Sequence, residues 1–167
     1  MSKIGRTTTF LTLPGYEGSG PEHWQSRWEA RDPAFRRVEQ SDWMIRLEQS
    51  LDAVQAPVVL VAHWAAHATA GNLAKVGGAL LVGVPDPEGP EFPAPATGFT
   101  PVPMQKLPFN TVVVASSDDP YATVDFARGC AEAWGAELVE VGAKGHVNAD
   151  SGLGIWNEGL ELLGFLT

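Results

Sequence analysis

The feature that most constrains this chain is an alternation. Short apolar runs bounded by Gly, Pro and Asp take turns with segments whose apolar residues recur every three or four positions. Runs of the first kind read as strands buried on both faces and segments of the second as covering helices. Together they predict an α/β fold of three layers, a mostly parallel sheet covered by helices on both faces. The predicted strands are Thr9 to Leu13, Phe35 to Glu39, Val58 to Ala62, Ala79 to Val84, Thr111 to Ala115 and Leu138 to Val141. Met44, Leu47, Leu51 and Val54 share one helix face, as do Val124, Ala127, Ala131 and Trp134. A last helix opens at Asn157, a residue suited to an N-cap, and aligns Leu160, Leu163 and Leu166. Trp24 and Trp28 stand four apart and are predicted to face the core.

A chain of 167 residues suits one domain, 1–167, with a core that needs no covalent staple. Cys130 is the only cysteine, so neither an intrachain disulfide nor a Cys-based zinc site is available, and a reducing interior suits it. The formal charge is -9, and only Arg36 and Arg37 are adjacent among the basic residues. Nucleic acid and anionic membrane partners are therefore not expected, because both are held by clustered Lys and Arg. The start of the chain lacks an apolar signal core, and no apolar run approaches the roughly 18 residues of a membrane span. A cytoplasmic protein is the expectation. Residues 85–108 hold eight of the 13 prolines and no periodic pattern. Leaving the carboxyl end of the Ala79 strand, where open α/β sheets bind ligands, this stretch reads as a lid-like loop on the substrate side.

Two strand ends carry chemistry. The Thr111 strand runs into Ser116-Ser-Asp-Asp-Pro-Tyr121, and the Leu138 strand runs into Gly142-Ala-Lys-Gly-His146. A strand-end Asp followed by a strand-end His is the acid and base order of an α/β-hydrolase, although Asp-Pro also makes turns and Gly-His also makes loops.

Four segments in order join these ends: Leu13-Pro-Gly-Tyr-Glu-Gly-Ser-Gly-Pro-Glu-His-Trp-Gln25, Val38-Glu-Gln-Ser-Asp-Trp43, Ser116 to Tyr121, and Gly145-His-Val-Asn-Ala-Asp-Ser-Gly-Leu-Gly154. Over nearly the whole chain they resemble the small bacterial α/β serine-hydrolase family, the relatives of retinoblastoma-binding protein 9 and YdeN. The resemblance implies an α/β-hydrolase-like fold and a serine hydrolase acting on a small acyl or ester substrate, with no cofactor and no metal. It makes Asp119 the triad acid, His146 the general base and the Tyr16 N–H an oxyanion-hole donor, with Asp118 a neighbour that shapes the turn.

The same resemblance exposes a gap. The strand Val58-Val-Leu-Val-Ala-His63 should continue into a serine and a glycine on a strained strand-to-helix turn, but Trp64, Ala65 and Ala66 follow. Either Trp64 replaces the nucleophile or a short block has dropped out between His63 and Trp64. A second shortening after Trp43 favours the dropped block. Ser19, Ser116, Ser117 and Ser151 lie in motif loops without an elbow and are poor substitutes, with Ser151 suited to local bonding. His63 and His67, four apart, form at most half of a metal site, since no third ligand is evident. A hydrolase fold that binds a small molecule or protein without turnover is the alternative reading.

Overall fold

The computed structural model describes residues 8–39, 43–55, 57–64 and 73–167. In chain order the elements are β1 (Thr9–Leu13), α1 (Trp24–Arg31), β2 (Phe35–Arg37), α2 (Trp43–Asp52), β3 (Val58–His63), β4 (Val76–Val82), β5 (Asn110–Ala115), α3 (Val124–Trp134), β6 (Glu137–Glu140) and α4 (Asn157–Leu163). The six strands form one sheet in the order β2-β1-β3-β4-β5-β6, and every pairing in it is parallel.

Side chains alternate across this sheet as strand geometry requires. Leu11, Leu60, Leu81 and Val113 point to a core shared with Leu47 and Leu51 of α2 and with Ala127, Ala131 and Trp134 of α3. Phe10, Val59, Val61, Leu80 and Val114 point to the opposite core, where Trp24 and Trp28 of α1 and Leu163 of α4 cover them. The architecture is therefore three layers, helix–sheet–helix, as the apolar patterning predicts. Trp24 and Trp28 lie in the core as expected, each 1% exposed.

Most strand bounds move by one to three residues, the fourth strand ending at Val82 rather than Val84 and the sixth running over Glu137–Glu140 rather than Leu138 to Val141; three shifts have a visible cause or consequence. The fourth strand starts at Val76, not Ala79, because Gly77 and Gly78 belong to the strand rather than to a turn. A Cβ on Gly78 would come within 3.0 Å of the Leu166 carbonyl oxygen, so glycine there admits the C-terminal segment against the sheet. The second strand stops at Arg37, although Val38 still donates to the Thr12 carbonyl. The last helix is not capped by Asn157, which is its first residue; Trp156 holds the cap position in a left-handed backbone (φ 48°) without a side-chain cap bond. Aromatic packing sets that start. The Trp156 ring lies parallel to Trp28 at 5.9 Å and fills the space beside Gly159, where any Cβ would collide with it.

Helix α3 shows the expected signals at both ends. Thr123 accepts from the Phe126 N–H, and Gly135 closes the helix in the left-handed region. Residues 85–108 contain no helix or strand. They are nonetheless anchored: Trp134 Nε1–H donates to the Pro103 carbonyl (2.6 Å), Leu107 N–H donates to the Trp134 carbonyl, and Asp86 N–H to the Tyr121 carbonyl.

Candidate active site

Strand order reverses direction between β1 and β3, which opens a crevice at their carboxyl ends, the place where parallel α/β sheets offer ligands a site. The turn after β1 (Gly15, Tyr16), the residue after β3 (Trp64), and the loop after β6 (His146) all reach a cavity of about 100 Å³ there. Tyr121, from the loop after β5, and Pro93, from the proline-rich excursion, complete its wall.

Asp119 and His146, 27 residues apart in sequence, meet at its edge. The Asp119 carboxylate accepts from His146 Nδ1 at 2.9 and 3.0 Å, and both side chains are nearly inaccessible, 4% and 6% exposed. Asp119 also accepts from the Tyr121 N–H, so the carboxylate cannot rotate away from the imidazole without losing a second bond. With Nδ1 protonated by this contact, the lone pair of His146 lies on Nε2, which is buried and has no hydrogen-bond partner among the described residues. An imidazole oriented by a buried carboxylate, with a bare Nε2, is equipped to take up a proton.

The loop that carries His146 is clamped. Asp118 Oδ1 accepts from Ser116 Oγ (2.9 Å) and from the Gly145 N–H (2.7 Å), while Ser116 Oγ accepts from the Lys144 N–H (2.9 Å). These bonds tie the β5 turn to the two residues before His146. The Gly145 N–H and then the Ser116 hydroxyl hold the Asp118 carboxyl below its usual range. On the far side Ser151 Oγ donates to the Lys144 carbonyl and accepts from the Asn148 N–H, which is local bonding as its sequence context predicts. Ser19 is likewise occupied, donating to Gln25 Oε1 in the first turn of α1.

Beyond His146 the backbone is strained. Val147 has φ 53°, a conformation that β-branched residues rarely adopt. Two buried donors enforce it: His63 Nε2–H gives to the His146 carbonyl (2.9 Å) and Trp24 Nε1–H gives to the Val147 carbonyl (2.7 Å). Gly83, itself at φ 61°, sits beneath, where a Cβ would lie 3.1 Å from His146 Cε1. Gly83, Trp24 and His63 thus position the imidazole, a role that no spacing in the sequence signals.

Trp64 stands directly after β3 in the left-handed region, φ 63°, and is 4% exposed. That left-handed backbone is the conformation a nucleophile elbow uses, and the residue that carries it is a tryptophan. Its ring meets His146 edge-on at 5.0 Å, Tyr121 at 4.6 Å and Phe92 at 5.7 Å, and lies 6.3 Å from Tyr16. A Cβ on Gly15 would come within 3.2 Å of Trp64 Cβ, so the turn after β1 approaches this close only because it carries glycine.

His23 and His63 complete the wall and carry no charge near neutrality. Burial first, then Arg37 and His146, lower His23 to about 4. Burial, with His146 and His23 beside it, holds His63 well below the usual histidine range. His67, the partner considered for His63 in a metal pair, lies outside the described residues, as do Ala65 and Ala66. Among the described residues no group of three or more His, Cys, Asp or Glu side chains is arranged to hold a metal ion.

This fold, with its crevice at the strand ends, is that of the α/β-hydrolases. The chain belongs to the serine hydrolase family, whose model matches residues 10–164. Similar solved structures include a YdeN-like hydrolase from Pectobacterium atrosepticum, 30% identical with a TM-score of 0.84, the match covering 96% of this chain and 91% of that one. The ydeN gene product of B. subtilis is 17% identical, with a TM-score of 0.59 and coverage of 95% and 98%. The esterase RhEst1 from a Rhodococcus species is 14% identical, with a TM-score of 0.58 and coverage of 95% and 90%. No curated protein sequence matches significantly.

Proposed function

We propose that this site is built for acyl chemistry on a small ester or related acyl compound. His146 acts as general base, Asp119 fixes its tautomer, and the Tyr16 N–H is an oxyanion donor. The single observation that carries the reading is the buried Asp119–His146 contact at 2.9 Å with Nε2 turned bare toward the cavity. Residues 85–108 act as the lid, since Pro93 reaches the cavity wall and Phe92 packs on Trp64. The esterase among the structural neighbours agrees with this substrate class but, at 14% identity, supports only the shared fold.

Chemistry in such a site needs a nucleophile at the turn after His63. A serine hydroxyl there would give its proton to His146 Nε2 as its oxygen bonds the acyl carbon, and His146 would return that proton to the departing alkoxide. Water would then cleave the acyl-enzyme by the same route. In this chain the position belongs to Trp64, whose indole has no such oxygen. Its location above His146 favours the second reading: the chain binds its ligand and does not turn it over.

Trp64→Ser tests the assignment. The variant is expected to gain hydrolysis of p-nitrophenyl acetate above the wild type, by about 10²-fold or more, the scale of a positioned acid–base group. Adding His146→Ala should abolish the gain. A gain that survives without His146, or none in a folded variant, would remove His146 from the role of base.

A further inference from the structure

The buried side-chain polar atoms left without a partner from the protein, among the described residues, are four: His23 Nε2, His63 Nδ1, Trp64 Nε1 and His146 Nε2. All four residues line the one cavity described above. Buried polar atoms are paired with protein or ordered water nine times in ten or more, and each left unpaired costs about 1–3 kcal/mol, so four that converge on one space mark a polar pocket that water or a polar ligand must fill.

Their other contacts fix what each atom offers. His23 Nδ1 accepts from the Gln25 N–H (3.2 Å), so His23 Nε2 carries the proton and donates. Trp64 Nε1 is a donor by its chemistry. His63 gives its Nε2 proton to the His146 carbonyl, so His63 Nδ1 is an acceptor. His146 gives its Nδ1 proton to Asp119, so His146 Nε2 is an acceptor too. A Cβ on Gly15 would stand 3.0 Å from His63 Nδ1, and glycine there keeps that acceptor uncovered. The rings are neighbours: His23 and His63 are 4.9 Å apart between centroids, His63 and His146 4.6 Å, and Trp64 and His146 5.0 Å.

The cavity thus presents two donors and two acceptors in a space of about 100 Å³. A carboxylate offers only acceptors and would leave both imidazole lone pairs facing negative charge. A divalent cation would have to displace the His23 Nε2 proton, and the Gln25 N–H holds that tautomer in place. A primary carboxamide carries the complementary set: a carbonyl oxygen with two lone pairs, and an amide nitrogen with two N–H groups.

The geometry points to this cavity as a binding site for a small, uncharged primary carboxamide. Its carbonyl takes the His23 and Trp64 N–H groups, and its amide nitrogen gives to His63 Nδ1 and His146 Nε2. The inference rests on the proposed function only for the Asp119-held tautomer of His146, and it requires no turnover.

The test is ¹H–¹⁵N NMR of the full chain at neutral pH, following the Trp64 indole N–H, which Trp64→Phe identifies by its loss. Acetamide and propionamide should shift that signal saturably in the millimolar range. Propionate and N,N-dimethylpropionamide, which lack the two N–H groups, should bind about tenfold or more weakly, the scale of one lost hydrogen bond. His23→Phe should weaken propionamide binding several-fold in a protein whose other indole signals are unmoved. Equal or tighter binding of propionate or the dimethylamide overturns the inference, as does the absence of saturation by either primary amide. Should the amides fail while Trp64→Ser gains His146-dependent hydrolysis, the inference falls and the acyl-site reading stands; the reverse pair of results separates them the other way.

Discussion

The two walls of the cavity are built of different materials. The wall made by the ends of β5 and β6 is a polar mesh: Asp119 on His146, Asp118 across to Gly145, Ser116 to Lys144. The wall made by the ends of β1 and β3 is aromatic. There Trp64 packs on Tyr121 and Phe92, and His63 is wedged among His23, Trp24 and His146. The first wall supplies the carboxylate and the backbone bonds that orient His146, whereas the second is held by ring packing. An acid–base pair is held by directed bonds that survive only if each member stays. A position whose neighbour is Gly15 has room for a large ring.

If that contrast is right, the aromatic wall carries stability and the polar wall carries geometry. The largest effect is expected at Trp24, which packs on Trp28 and Trp156 and holds the Val147 carbonyl. Trp24→Ala should cost about 3–5 kcal/mol in urea unfolding. A loss below about 1 kcal/mol would mean the aromatic wall is not structural.

Next comes acidification. His23 titrates near 4 in the folded chain against 6.5 ordinarily, so the unfolded state binds more protons between those values. Stability is then fully present above about 6.5 and falls as pH drops toward about 4, by about 3 kcal/mol from His23 alone, with His63 adding in the same direction. His23→Phe should flatten that part of the curve in denaturant titrations at stepped pH. An unchanged slope would place the acid sensitivity elsewhere.

The smallest stability effect belongs to the polar wall. Ser116→Ala removes the bonds to Asp118 and from the Lys144 N–H at a cost of about 1 kcal/mol. Yet it should visibly broaden the His146 Nδ1–H resonance, because the loop that aims the ring is released. A sharp, unmoved resonance would show that the clamp is not needed to aim His146.

Much of this contrast was open to sequence reasoning on one side and closed on the other. The strand Thr9–Leu13 has the predicted bounds, and Asp119 and His146, picked out at two strand ends, prove to be in contact. The strand follows from a local rule, that apolar runs make buried strands, whereas the pairing of Asp119 with His146 comes from the family resemblance. The aromatic wall depends on contacts between residues far apart in the chain, such as Trp24 with Val147, 123 positions away. No periodicity encodes such pairs, so His23 and Gly83 passed without a role. Trp156 at the cap of α4 was hidden for the same reason, because tertiary stacking overrode the capping preference of Asn157. At Trp64 the sequence shows no serine, but only the backbone reveals the left-handed conformation of that residue.

The most direct test of a retained base beside a filled nucleophile position is fluorophosphonate labelling of the wild-type chain, read by intact mass. The account predicts no adduct on the wild type under conditions that label an active serine hydrolase. An adduct on the wild type that disappears in His146→Ala would contradict it, by placing a working nucleophile within reach of His146 despite Trp64.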